Sequence, residues 1–206
     1  MKRFVLALTV LYSSLLYAAQ PDAVWETHSP REEISPKFEL KNGVFKIDAS
    51  GRNGATGQWQ TRLAIKGGQH YRFFARRSTH AIENPQRNVV ERLIWLNAKG
   101  NKVVRDEPSF ASYRPGTAPR AEPEFPRTKG PAKNGWTEVS DIFRAPKGAV
   151  QVQVELSLRW QTNGRVEWRN VSLLPTAAPK PRVARLATIH FQPRAGKTNN
   201  EKCRLF

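Results

Sequence analysis

Val150–Trp160 reads VQVQVELSLRW. Val150, Val152, Val154, Leu156, Leu158 and Trp160 alternate strictly with Gln151, Gln153, Glu155, Ser157 and Arg159. A period of two sustained over this length is the pattern of a β-strand with one buried face. Asn163-Gly164 follows at once, a pair that favours a tight hairpin turn. Then comes Arg165–Leu174, RVEWRNVSLL, in which Val166 and Trp168 share one parity and Val171 and Leu173 the other. A bulge near Arg169-Asn170 reconciles the two sets. The two segments are expected to form an antiparallel hairpin, with Trp160 and Trp168 both on core-facing parities.

The same period recurs upstream. Gly43–Ala49 sets Phe45, Ile47 and Ala49 against Val44, Lys46 and Asp48. Gly57–Ile65 alternates Trp59, Thr61, Leu63 and Ile65 with polar partners, and His70–Arg77 does so with Tyr71, Phe73 and Ala75. Asn88–Leu96 is apolar on both parities around Glu91-Arg92, as a central strand would be. Lys102–Arg105 and Trp136–Phe143 complete the set. Gly51–Gly57 reads as a turn between strands. No window of this region shows a helical period, so the fold class is all-β: a β-sandwich of jelly-roll type. Pro108–Pro131 holds six prolines and is expected to be a long loop, since proline cannot donate to a ladder.

The ends read differently. Lys2 and Arg3 precede an apolar run from Phe4 to Leu16, and Tyr17-Ala18-Ala19 offers small residues for cleavage after Ala18 or Ala19. Residues 1–19 are therefore expected to be a signal peptide and the chain to be exported, periplasmic or secreted. The expected division is 1–19 signal peptide, 20–174 β-sandwich, 175–181 Pro-rich linker and 182–206 a separate fragment. Arg182–Gln192 suits a strand buried on both faces. Thr198 and Glu201 fit a capping box opening a helix, with Cys203 as a buried residue of it.

With 206 residues, a single Cys and a net charge of +17, the chain holds no internal disulfide framework and no Cys-based zinc cluster. Removing Lys2 and Arg3 lowers +17 to +15. No apolar stretch of about 18 residues exists, so no membrane-spanning helix is expected. The basic residues are spread out, without the interleaved aromatics of nucleic-acid readers, so nucleic acid is not an expected partner. An anionic glycan or other anionic polymer suits the charge better. His28, His70, His80 and His190 are not spaced as metal ligands, and no nucleophile elbow or phosphate loop occurs. No catalytic residue, metal or cofactor is expected.

Two resemblances follow. Gly57–Trp59, Gly67–Phe73, Arg92–Trp95 and the Val150–Trp168 stretch resemble galactose-binding-like or carbohydrate-binding jelly-roll modules. Val183–Phe206 resembles the opening of the carbon–nitrogen hydrolase (nitrilase) domain: a short strand ending near Gln192-Pro193, a glycine-containing loop and an Asn-led helix. That family works through a Glu-Lys-Cys triad which would lie beyond Phe206, so the resemblance transfers no catalytic residue. Together they imply an exported, non-catalytic accessory module of a truncated carbon–nitrogen hydrolase, whose full-length relative would hydrolyse an amide or nitrile. The alternative is a free-standing carbohydrate-binding protein for a glycan, anionic in one form. Sugars stack on flat aromatic faces while polar side chains fix their hydroxyls. The candidate ligand-binding residues are Trp136, beside Gly135 and the Pro-rich loop, with Arg92, Gln153, Glu155 and Arg159. Trp59, Trp160 and Trp168 are expected in the core.

Overall fold

The computed structural model describes residues 23–106, 118–181 and 195–204. The strands are β1 (Glu26–His28), β2 (Lys37–Lys41), β3 (Val44–Asp48), β4 (Ala55–Ala64), β5 (His70–His80), β6 (Val89–Leu96), β7 (Arg127–Lys133), β8 (Trp136–Arg144), β9 (Gln151–Gln161) and β10 (Arg165–Thr176). They form two antiparallel sheets, one ordered β1-β4-β9-β6 and the other β2-β3-β10-β5-β8-β7. From β3 onward the chain alternates between sheets, apart from the β7–β8 hairpin, which stays in the larger one. This is the expected sandwich.

The core is the sum of the inward parities. Val152, Val154, Leu156 and Leu158 of β9 face Phe45, Ile47, Phe73, Val139, Val166 and Trp168 of the other sheet, all buried. Trp25, Phe38, Phe45 and Trp59 cluster at one end, with ring centroids 4.6–5.7 Å apart. One charged pair joins this core. Arg77 of β5 donates from Nη1 to both Glu91 oxygens at 3.2 and 3.1 Å, and Trp168 Nε1 donates to Glu91 Oε1 at 2.7 Å. Thr128 Oγ1 accepts from Arg77 Nη2 at 3.2 Å. Three strands and both sheets meet at one carboxylate.

The structure corrects several expectations. β9 and β10 do not pair: β9 lies between β4 and β6, and β10 between β3 and β5. The Asn163-Gly164 link crosses between sheets. Gly164 sits at φ +95°, where a Cβ would stand 2.4 Å from the Ala81 carbonyl oxygen, and its own carbonyl accepts from Ala49 N–H at 3.0 Å. β6 ends its sheet instead of lying centrally. Its outer edge is covered by backbone bonds between Leu93 and Glu124, each 2.9 Å, and from Val103 N–H to the Trp95 carbonyl at 3.2 Å.

Pro108–Pro131 is not loop throughout. Residues 118–126 supply the edge cover, and β7 begins at Arg127. Pro131 is accommodated because it falls in the unpaired interval between Lys129 and Lys133 of an edge strand. The Lys and Pro on that exposed edge also oppose pairing with another chain. The bulge near Arg169-Asn170 is present, with Asn170 at φ +55°. β10 continues through Pro175 and Thr176, paired with Tyr71 and His70.

Residues 1–22, including the expected signal peptide, and the expected strand Arg182–Gln192 lie outside the described residues. The short helix Asn199–Cys203 has the expected capping box, with Thr198 Oγ1 accepting from Glu201 N–H at 3.2 Å. Backbone N–H groups of Lys197 and Thr198 hold the Glu201 carboxyl below the usual range. Cys203 is exposed, contrary to expectation, because among the described residues nothing packs over this short helix.

Candidate functional site

The outward parity of the four-stranded sheet is polar and ordered. Alternation that sends Val152, Val154, Leu156 and Leu158 inward sends Gln153, Glu155, Ser157 and Arg159 outward. Register sets them in rows. Glu26, Gln60, Glu155 and Arg92 stand opposite one another across β1, β4, β9 and β6. Arg62, Gln153 and Ile94 form the next row, and His28, Gln58, Ser157 and Val90 the one on the other side.

Hydrogen bonds tie the rows into a ladder. Arg62 Nε donates to Gln153 Oε1 at 3.1 Å, and Gln153 Nε2 donates to Glu155 Oε1 at 2.7 Å. Arg92 Nε binds Glu155 Oε2. Gln58 Nε2 donates to Gln60 Oε1 at 2.9 Å. Glu155 is only 1% exposed, so it is an anchor that fixes Arg92 and Gln153 and is not itself a surface group. Such a network holds long side chains in single rotamers before any ligand arrives.

Two exposed aromatics flank this face. The Leu93–Glu124 bridge places Phe125 in register with Arg92, and Phe125 is 54% exposed. Trp160 is 65% exposed and has φ +49°. It lies in a bulge where β4 pairs Ala55 with Gln161 and Gly57 with Leu158, and its N–H donates to Thr56 Oγ1 at 3.1 Å. A bulky residue in the left-handed region is strained, by about 1–2 kcal/mol. The expectation that Trp160 is core fails because the bulge ends the alternation one residue early. Trp59 and Trp168 are buried as expected.

Four of the five candidate residues thus meet on one face: Arg92, Gln153, Glu155 and Arg159. Trp136 does not join them. It stands on β8 of the six-stranded sheet, with the Arg169 guanidinium carbon 4.0 Å from its ring centroid. Sequence reading missed Gln58, Gln60 and Arg62, although all three alternate with Trp59, Thr61 and Leu63 and so carried the same signal as the β9 row. Phe125 gave none, because its place depends on a non-local backbone bridge.

A cavity of about 480 Å³ opens elsewhere, between the sheets, walled mainly by Trp25, Leu40, Phe45, Leu63, Val154 and Leu173. Among the described residues no three His, Cys, Asp or Glu side chains gather as metal ligands, and no helix is long and apolar enough to cross a membrane.

No protein-family profile matches the chain, and neither does any curated protein. The carbon–nitrogen hydrolase resemblance therefore rests on its quoted residues alone. Solved structures do match in part. A domain of tailspike protein 4 from bacteriophage CBA120, described as enzymatically active, matches at TM-score 0.46 and 12% identity, over 75% of this chain and 18% of that one. A Clostridium thermocellum xylanase 10B fragment, a CBM22-1 module with its GH10 module, matches at 0.44 and 15%, over 78% and 27%. The N-terminal cellulose-binding domain of Cellulomonas fimi β-1,4-glucanase C matches at 0.43 and 12%, over 80% and 95%. The chain thus spans well under a third of the first two and nearly all of the third.

Proposed function

We propose that the outer face of the four-stranded sheet binds a polysaccharide chain, and that the protein acts by holding that ligand without transforming it. The observation that carries this reading is the Arg62–Gln153–Glu155–Arg92 ladder across three strands. Sugar hydroxyls donate and accept at once, so they are met by groups of both kinds held at fixed spacing. Primary amides offer both, and guanidinium groups add donors. The face spans three inter-strand gaps, roughly 14 Å, which suits a short oligosaccharide segment. Trp160 and Phe125 provide flat apolar surfaces at its margins for sugar rings. The expected export from residues 1–19 agrees with an extracellular polymer as ligand. Joined to a further domain or free-standing, the chain works through this face.

The double variant Gln60→Ala/Gln153→Ala tests the reading. Each lost hydrogen-bonding side chain is worth about 1 kcal/mol, so affinity for the glycan selected from a panel is expected to fall about tenfold or more, and the melting temperature by a few degrees because Gln153 also donates to the buried Glu155. Unchanged affinity would place the ligand elsewhere.

Trp160 supplies a second test with a sign that packing alone does not give. Asparagine tolerates the left-handed region, so Trp160→Asn is expected to leave the fold unchanged or stabilise it by up to about 1 kcal/mol. The same change removes a stacking surface and is expected to weaken glycan binding about tenfold. Thermal unfolding and isothermal titration on one sample decide it: a fall in both quantities would make Trp160 a packing residue.

A further inference from the structure

The polar face carries more positive charge than its own acids use. Both Glu155 oxygens are engaged, Oε2 by Arg92 Nε and Oε1 by Gln153 Nε2. Among the described residues the two terminal nitrogens of Arg92 have no partner, and no nitrogen of the Arg159 guanidinium has one. Arg159 is half-buried on β9, the strand beside Arg92, and its carbonyl accepts from Asn88 Nδ2 at 3.0 Å. Between Glu155 and Arg159 on the same face lies Ser157, whose hydroxyl is buried and without a hydrogen-bond partner. Burial first, then the like charge of Arg92, holds the Arg159 pKa below the ordinary arginine value, and Glu155 offsets this only in part. A partly desolvated cation is costly until an acceptor arrives.

Resting on the glycan reading, we infer that this face takes an acidic glycan, the carboxylate or sulfate of one sugar held between Arg92 and Arg159. The guanidinium fork presents parallel N–H groups to two anionic oxygens, a match that an ammonium group lacks. Glu155 then has a second effect. By occupying Arg92 Nε it leaves the two terminal nitrogens of that group for a ligand.

The full chain is titrated at fixed ionic strength with polygalacturonate, dextran sulfate and xylohexaose. The variants are Arg159→Met, which keeps the apolar stem, and Arg72→Met, on the outward parity of the other sheet opposite Leu174 and Ile142. Arg159→Met is expected to lose about tenfold or more in affinity for an anionic polymer, and Arg72→Met less than about threefold. Which polymer shows the loss tells carboxylate from sulfate. Equal losses in both variants would reduce the effect to diffuse charge and overturn the inference. Xylohexaose binding at least as tight as either polyanion would also overturn it while leaving the glycan reading intact. Binding to none of the three would remove that reading as well.

Discussion

Glu91→Leu is expected to destabilise the protein by about 3–5 kcal/mol, the usual cost of removing one partner of a buried ion pair. At this chain length that corresponds to a fall in melting temperature of roughly 6–20 °C. Glu91 is 4% exposed and accepts from Arg77 and Trp168. Leucine leaves the Arg77 guanidinium and the Trp168 Nε1–H buried without the acceptor that Glu91 supplies. The pair spans the two sheets, so its loss strikes the interface that makes the sandwich. Arg77→Met/Glu91→Leu should recover most of the loss, since a well-packed apolar pair is often as stable as a buried ionic one. A single variant that unfolds at the wild-type temperature would mean the charge is compensated elsewhere.

The pH dependence follows from the same burial. Desolvation raises the Glu91 carboxyl above its ordinary value of 4.5, against the pull of Arg77 and the Trp168 hydrogen bond. The folded state then binds this proton more tightly than the unfolded chain. The contribution of Glu91 is fully present below the unfolded value and is lost as pH rises through the folded one. Asp141 has the opposite sign. Hydrogen bonds from Arg127, Nε to Oδ2 at 2.6 Å and Nη2 to Oδ1 at 3.1 Å, hold it below the usual range. Its contribution is present above that range and is lost as pH falls. In Glu91→Leu only the acid-side loss should remain.

Period two told which side of each strand faces the core, and it told this well. Phe45, Ile47, Trp59, Tyr71, Phe73, Val152, Val154, Leu156, Val166 and Trp168 are all buried. It carried no information about neighbours, because a strand's alternation is the same whichever strands flank it. Hence β9 and β10 were legible as strands but not as members of different sheets. Arg77 and Glu91 fall on core parities of β5 and β6, so the buried pair was visible only as two charges in apolar company. The candidate face was legible for the same reason as the core, since each inward residue fixes its outward neighbour. Trp160 and Phe125 were not, because a bulge and a non-local bridge place them.

Gly164→Ala is expected to cost about 2–5 kcal/mol, combining backbone strain with overpacking. At φ +95° a Cβ is strained in any surroundings, and here it would also meet the Ala81 carbonyl oxygen at 2.4 Å and that of His80 at 2.8 Å. Both obstacles are backbone at the end of β5, so neither rotates away. The chain must move the crossing from β9 to β10, and that crossing begins three residues after Trp160 ends its bulge. Glycan affinity should therefore fall together with stability, although no residue of the proposed site is changed. Gly148→Ala is the matched control, because a Cβ there meets nothing within 4 Å and no left-handed φ is involved. It should be neutral or stabilising by a few tenths of a kcal/mol. If Gly164→Ala kept wild-type stability but bound weakly, the crossing would be a determinant of the site's shape alone. If it unfolded more easily yet bound normally at low temperature, the outward face would be set by the four-stranded sheet itself, independent of how β9 leaves it.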